Sequence, residues 1–289
     1  MAPPAENPGA GVLPPRIPCG RETWQRGGMD LNTVVEVRDP RVPGPWLPGD
    51  AWLAGGTQLF SEPQPLVRRL VDLTRFGWPP VTLDGDLELA ATCTIAELSR
   101  FGRDSELPVA ELVEQCCRAF LASFKVWNTA TVGGNLCNAL PAGPMISLAA
   151  ALDGVCLLRT GGEERRVPVV DFVRGVGESV LTDGELLRSI TIPEAALHRR
   201  SAFRQVSLHA HGRSGALLIG TADTGFALTI TAATPRPVRL DFPTAPTPAE
   251  LRSAILDTVT DWFDDIHGLP AWRRHMVLRL AEEIREELA

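Results

Sequence analysis

Hydrophobic residues recur along this chain in two rhythms: short continuous or alternating runs that suit strands, and spaced stripes that suit helices. Runs at residues 34–37 and 51–54 flank a proline-punctuated stretch, 40–48, and predict two short strands. Further strands are expected at 69–73 and at 87–91, where the alternation is that of a half-buried strand. Thr94 and Glu97 form a capping box that opens a short helix. Val109, Leu112, Val113, Cys116, Phe120, Leu121 and Phe124 then keep helical spacing, which predicts an amphipathic helix over 108–124 with one buried face. This helix leads directly into a glycine motif at 131–135, read as a loop. Residues 146–152 are expected to be helical; strand, turn and strand follow over 155–158, 161–162 and 165–169; and 186–192 is a strand that ends at Pro193.

Past a break at 193–200 the pattern changes to apolar strand candidates at 203–208, 216–221, 226–232 and 238–242. Thr247, Pro248 and Glu250 supply an N-cap, a proline at the first helical position and a capping-box acid. The last helix, 272–288, carries Val277, Leu280, Ala281, Ile284 and Leu288 on one stripe. Strands followed by helices make this second part α+β. The expected organisation is a disordered leader at 1–28, rich in Pro and Gly, with Met29 as an alternative start; a first domain at 29–197; and a small second domain at 198–289.

A length of 289 residues exceeds the ~100–200 of a typical single domain, so two domains are the natural expectation. A formal net charge of −7 lacks the basic excess of a nucleic-acid binder. No apolar run reaches the ~18 residues that a membrane span needs, and 1–28 has no apolar signal-peptide core, so a cytoplasmic protein without membrane contact is expected. The six cysteines form no Cys-x-x-Cys pair and do not group with the five histidines, which argues against a metal site. Cys116 and Cys117, inside an apolar helical pattern, are expected to be core thiols.

The chemistry concentrates in two glycine-rich segments. Ala54-Gly55-Gly56-Thr57-Gln58-Leu59 follows a predicted strand, and paired glycines let consecutive backbone N–H groups converge as a nest on an anion such as a diphosphate. Thr131-Val132-Gly133-Gly134-Asn135 has the same logic, with hydroxyl and amide donors beside it and Asn138 shortly after. Two such cradles can clamp one diphosphate. Each bond to a charged acceptor contributes roughly 1.5–3 kcal/mol. Neither segment is a G-x-G-x-x-G fingerprint or a P-loop, and no nucleophile elbow or His-Glu-x-x-His is present. No catalytic acid or base can be named from the residues.

These two segments, in this order, resemble the FAD-binding medium subunit of the molybdenum hydroxylases, the group of xanthine dehydrogenase and carbon monoxide dehydrogenase. Residues 167–172, 184–187, 190–193 and 203–206 look like further landmarks of that family. The resemblance implies an α+β fold: a two-part FAD-binding domain of the vanillyl-alcohol oxidase (PCMH) type, then a small α+β C-terminal domain. It implies FAD as cofactor, held at its diphosphate by residues 54–59 and 131–135 with Asn138 nearby, and Leu187 and Arg204 close to the flavin ring. It also implies two partners, a large subunit with a molybdenum pterin and a small subunit with [2Fe–2S] clusters, with NAD or another acceptor receiving the electrons. A free-standing FAD oxidoreductase and a flavin-free scaffold subunit are the alternatives. The chain departs from the pattern at Leu140, where relatives have serine, at Pro144, where they have aspartate, and at Trp127, where arginine is frequent.

Overall fold

The computed structural model describes residues 33–289; the expected leader at 1–28 lies outside them. The chain begins with a small parallel sheet in which β1 (Glu36–Arg38) and β2 (Asp50–Leu53) flank β3 (Arg69–Asp72). Arg69 spans this sheet, its guanidinium donating to both carboxylate oxygens of Asp50 at 2.5 and 2.6 Å. A 3-10 turn, Leu73–Phe76, leads to β4 (Val81–Asp84) and β5 (Asp86–Ala90), a hairpin that turns on Gly85 at φ 67°. The Thr94–Glu97 capping box opens α1 (Ile95–Asp104), and both of its reciprocal bonds are present.

The helix expected at 108–124 is shorter than its apolar stripe. α2 (Ala110–Ala119) stops at Phe120, and Ser123 caps a separate turn, α3 (Phe124–Trp127). The segment read as a loop at 131–135 is the first part of a helix, α4 (Val132–Cys137), capped by the Thr131 hydroxyl. The wholly buried α5 (Pro144–Ala151) follows. β6 (Val155–Thr160) and β7 (Glu163–Pro168) form a hairpin, and a helical turn, α6 (Val169–Phe172), precedes the short ribbon β8 (Val173–Gly175) and β9 (Glu178–Ser179). β10 (Leu186–Ile192) then enters between β5 and β6, giving an antiparallel sheet in the order β4-β5-β10-β6-β7.

After α7 (Glu194–Leu197), four strands run antiparallel in sequence order: β11 (Arg200–Val206), β12 (Ala216–Ala222), β13 (Phe226–Thr231) and β14 (Val238–Phe242). α8 (Pro248–Thr258), with its Thr247–Glu250 capping box, and α9 (Pro270–Leu288) cover one face of this sheet. Side chains of a strand alternate between faces. Accordingly Leu217 and Ile219 of β12 join the core built on Leu89, Leu112, Leu148 and Ile190, while Leu218 joins Leu228, Ile255, Val277 and Ile284. Burial on both faces explains why β12 and β13 read as continuous apolar runs. The seam is tied by the Ser147 and Thr231 hydroxyls at 2.6 Å and by Arg239, which donates to the carbonyl oxygens of Ala150 and Ala151.

Candidate functional site

The segment after β2 is a tight turn in which Gly56 takes a left-handed φ of 69°. Two of its carbonyl groups are engaged, since the Phe60 N–H donates to Gly56 and the Ser61 N–H to Gln58. Its donors are not. Among the described residues, the backbone N–H groups of Gly55, Gly56, Thr57, Gln58 and Leu59 have no protein acceptor.

The second motif is built differently. The N–H of Val132 donates to Cys93, that of Gly133 to Ala91 and that of Asn135 to Thr131, while Gly134 donates to the Thr131 hydroxyl at 3.0 Å. These bonds dock α4 onto the end of β5, so the expected cradle of free amides is one-sided and belongs to residues 55–59. The glycines matter here for close approach. A Cβ on Gly133 would lie 2.5 Å from that of Ala91, and one on Gly55 would lie 1.6 Å from the Thr129 carbonyl oxygen. Gly55 therefore seats the first turn against the chain that enters α4. The Asn138 side chain closes the join by donating to Gln58 Oε1 at 3.3 Å.

Between the two motifs lies a cavity of about 280 Å³. Ala54, Gly55, Gly56, Thr57, Gln58 and Leu59 form one wall; Thr131, Gly133, Gly134, Asn135 and Asn138 form the facing one. Leu187 lines it as well, set beside the break in register that interrupts the pairing of β10 with β6. Two expected residues lie elsewhere. Val132, the first residue of α4, is buried on the core side and does not line the cavity. Arg204 is engaged on the far sheet, where it pairs with Glu283 at 3.2 Å and Glu287 at 2.6 Å on α9.

The cavity also holds residues that sequence reasoning missed, among them Trp52, Leu73, Phe120 and Glu185. Phe120 reaches it because α2 ends there, with the Trp127 indole N–H donating to its carbonyl at 3.0 Å. Trp127 thus acts as a helix-end brace. Glu185 is an ionised wall group: a two-pronged bond from Arg165, at 2.6 and 2.7 Å, holds its carboxyl below the usual range against the opposing effect of burial. Periodicity alone does not send these residues to the cavity: it gave Phe120 a place on a buried helical stripe, and its position in the wall depends on where α2 stops.

The cavity suits a dinucleotide flavin. Free amides on a glycine turn offer fixed donors for a diphosphate, and the indole N–H of Trp52, buried in the wall, has no acceptor among the described residues. A Cβ on Gly134 would meet only the Thr131 hydroxyl, at 3.0 Å, and this glycine lines the cavity. A second cavity of about 540 Å³ adjoins the first and shares Thr57, Gln58, Phe120, Asn135 and Asn138 with it. Pockets of this order are typical of cofactor sites.

Fold and site together define a flavin-dinucleotide-binding protein of mixed α and β structure. Residues 48–195 match the family described as the FAD binding domain in molybdopterin dehydrogenase, and the chain belongs to that family. FAD is the cofactor of that domain. A curated relative, caffeine dehydrogenase subunit beta of Pseudomonas sp. (strain CBB1), is 35% identical over 109 residues, an alignment that spans only 36% of each chain. Among solved structures, quinoline 2-oxidoreductase from Pseudomonas putida 86 superposes with a TM-score of 0.66 at 19% identity, over 83% of this chain and 90% of that one. Carbon monoxide dehydrogenase from Hydrogenophaga pseudoflava, in a form lacking the Mo-pyranopterin moiety, gives 0.70 at 18% identity, over 82% and 88%. Both share the α+β fold.

Proposed function

We propose that this chain is the FAD-carrying electron-transfer subunit of a molybdenum-containing hydroxylase, taking electrons from the iron–sulfur clusters of a small partner subunit and passing them to an external acceptor. The observation that carries the reading is the row of unengaged amides from Gly55 to Leu59, held across one cavity from Thr131, Gly134 and Asn138. Bound FAD supplies the redox chemistry, accepting and releasing electrons singly or in pairs. The chain's own residues bind and shield. The 55–59 amides and the Asn138 side chain hold the diphosphate, while Leu73, Phe120 and Leu187 form an apolar wall that keeps water from the ring.

Iron–sulfur clusters that feed the flavin belong, in this reading, to another chain, since no group of three or more His, Cys, Asp or Glu among the described residues is placed to hold a metal ion. The named relatives, a dehydrogenase beta subunit and an enzyme built around a molybdenum cofactor, favour the same division of labour, with a molybdenum-pterin large subunit as the third component. We place the limits of the FAD-binding domain at 29–197 and of the C-terminal domain at 198–289. Free buried thiols at Cys93, Cys116, Cys117 and Cys156 support a cytoplasmic location.

The test is purification from the native host, followed by absorbance near the flavin band and identification of copurifying chains. A yellow chain that travels with molybdenum and iron–sulfur subunits, and is reduced only through them, is the expected result. A solitary yellow chain that oxidises an organic substrate unaided would contradict the relay role. A colourless chain that refuses added FAD would contradict the flavin site.

A further inference from the structure

A cleft distinct from both cavities described above shares Trp52 with the cofactor cavity. It consists of two adjoining hollows of about 390 and 630 Å³, which have Pro40, Trp52, Thr160 and Gly184 in common. Aromatic rings line it, and each is steadied by a neighbour. Trp52 packs against Trp46 with ring centroids 4.7 Å apart, and the Trp46 indole N–H donates to Asp183 at 2.9 Å. Phe76 stacks on Trp78 at 4.6 Å with the planes 8° apart, while the Arg188 guanidinium lies over Trp78 at 4.3 Å. The tip of the β6–β7 hairpin, from Thr160 to Glu163, completes the lining.

Rings held in this way offer flat apolar surface that a planar ligand can cover without ordering loose side chains. The charges at the margin disfavour an anion. Glu163, Glu164 and Asp183 line the cleft against Arg38 and Arg159, and Arg159 is already paired with Glu164 at 2.6 Å. A second dinucleotide, with its diphosphate, would meet net negative charge there. An uncharged ring would not, and the Thr160 hydroxyl offers a donor to a ring carbonyl. Cleft and cofactor cavity have Leu186 as well as Trp52 in common, and one 3-10 turn serves both, Leu73 lining the cavity and Phe76 the cleft. A ligand in the cleft is thus one layer of side chains away from the cofactor.

We infer that this cleft receives the external electron acceptor, and that the acceptor is a planar, uncharged quinone held against Trp46, Trp52 and Phe76. This rests on the relay reading above. The exchange balances: two electrons and two protons leave reduced FAD, both quinone carbonyl oxygens become hydroxyls, and oxidised FAD is restored.

The experiment titrates the full chain, with and without FAD, with the naphthoquinone menadione and separately with NAD, reading tryptophan fluorescence. Phe76→Leu and Phe76→Tyr are treated alike, with thermal melts and FAD titration as checks on folding and on the cofactor site. Menadione should quench saturably and NAD should not. Phe76→Leu should bind menadione about three- to tenfold more weakly, as loss of one stacking face requires, and Phe76→Tyr should bind it as the parent does. Both variants should keep the parent's FAD affinity, and menadione below saturation should reoxidise the reduced flavin of Phe76→Leu more slowly by the same factor. Quenching that does not saturate, menadione binding that Phe76→Leu leaves unchanged, or NAD that competes with menadione would overturn the assignment while leaving the flavin site standing. A parent chain that takes up no FAD would overturn both.

Discussion

Gly55, Gly133 and Gly134 look alike in the sequence and do different work. At Gly55 and Gly133 an added Cβ runs into backbone or a packed alanine, whereas at Gly134 it meets only the Thr131 hydroxyl, at 3.0 Å. Overpacking of the first kind costs about 1–3 kcal/mol, so Gly55→Ala should lower the melting temperature with or without FAD. Gly134→Ala gains up to about 1 kcal/mol of helix propensity against that crowding and should melt within about 1 kcal/mol of the parent, yet bind FAD more weakly. Equal melting of both variants in a thermal scan would contradict this division. Glu185 makes a separate prediction about pH. Its folded pKa lies below the ordinary 4.5 because of the Arg165 bond, so the stability it contributes is present above pH 4.5 and is lost as pH falls through the lower folded value. Melting temperature against pH should therefore fall more gently below pH 4.5 in Glu185→Gln than in the parent; parallel curves would refute it.

At the level of elements, the two capping boxes were legible because a cap is a local chemical statement: Thr94 with Glu97 and Thr247 with Glu250 form as their spacing dictates. The second glycine motif was not legible as a helix, because paired glycines disfavour one and only the Thr131 cap and docking against Ala91 and Cys93 tip the balance. The strand at Val81–Asp84 gave little signal, as its only support is pairing with β5. The apolar stripe past Ala119 continued while the helix did not, which moved Phe120 from an expected core position to the cavity wall. α9 is fixed at its start by Arg273, 1% exposed, which donates to the carbonyls of Gly268 at 2.9 Å and Gly215 at 2.6 Å and pairs with Asp265. Arg273→Ala strands these acceptors and should destabilise the protein by about 3–5 kcal/mol, read from chemical denaturation; a loss under about 1 kcal/mol would mean the cluster is incidental.

For the whole molecule, the boundary expected near residue 198 separates two sheets but does not contain the first core, since Leu217, Ile219 and Ala232 pack into the same cluster as Leu112, Leu148 and Ile190. Residues 33–197 expressed alone would expose the face of α5 that β12 and β13 cover, and should fail to show a cooperative melt; a sharp transition from that fragment would contradict the shared core. The two motifs were legible as a pair, and so was their meeting; which of them offers free donors was not, because that depends on hydrogen bonds made to Ala91 and Cys93, far back in the chain. Amide hydrogen exchange with and without saturating FAD tests this asymmetry most directly. The account predicts that FAD slows exchange at residues 55–59 and leaves 132–135 slow in both states. Unchanged exchange at 55–59, or new protection confined to 132–135, would contradict it.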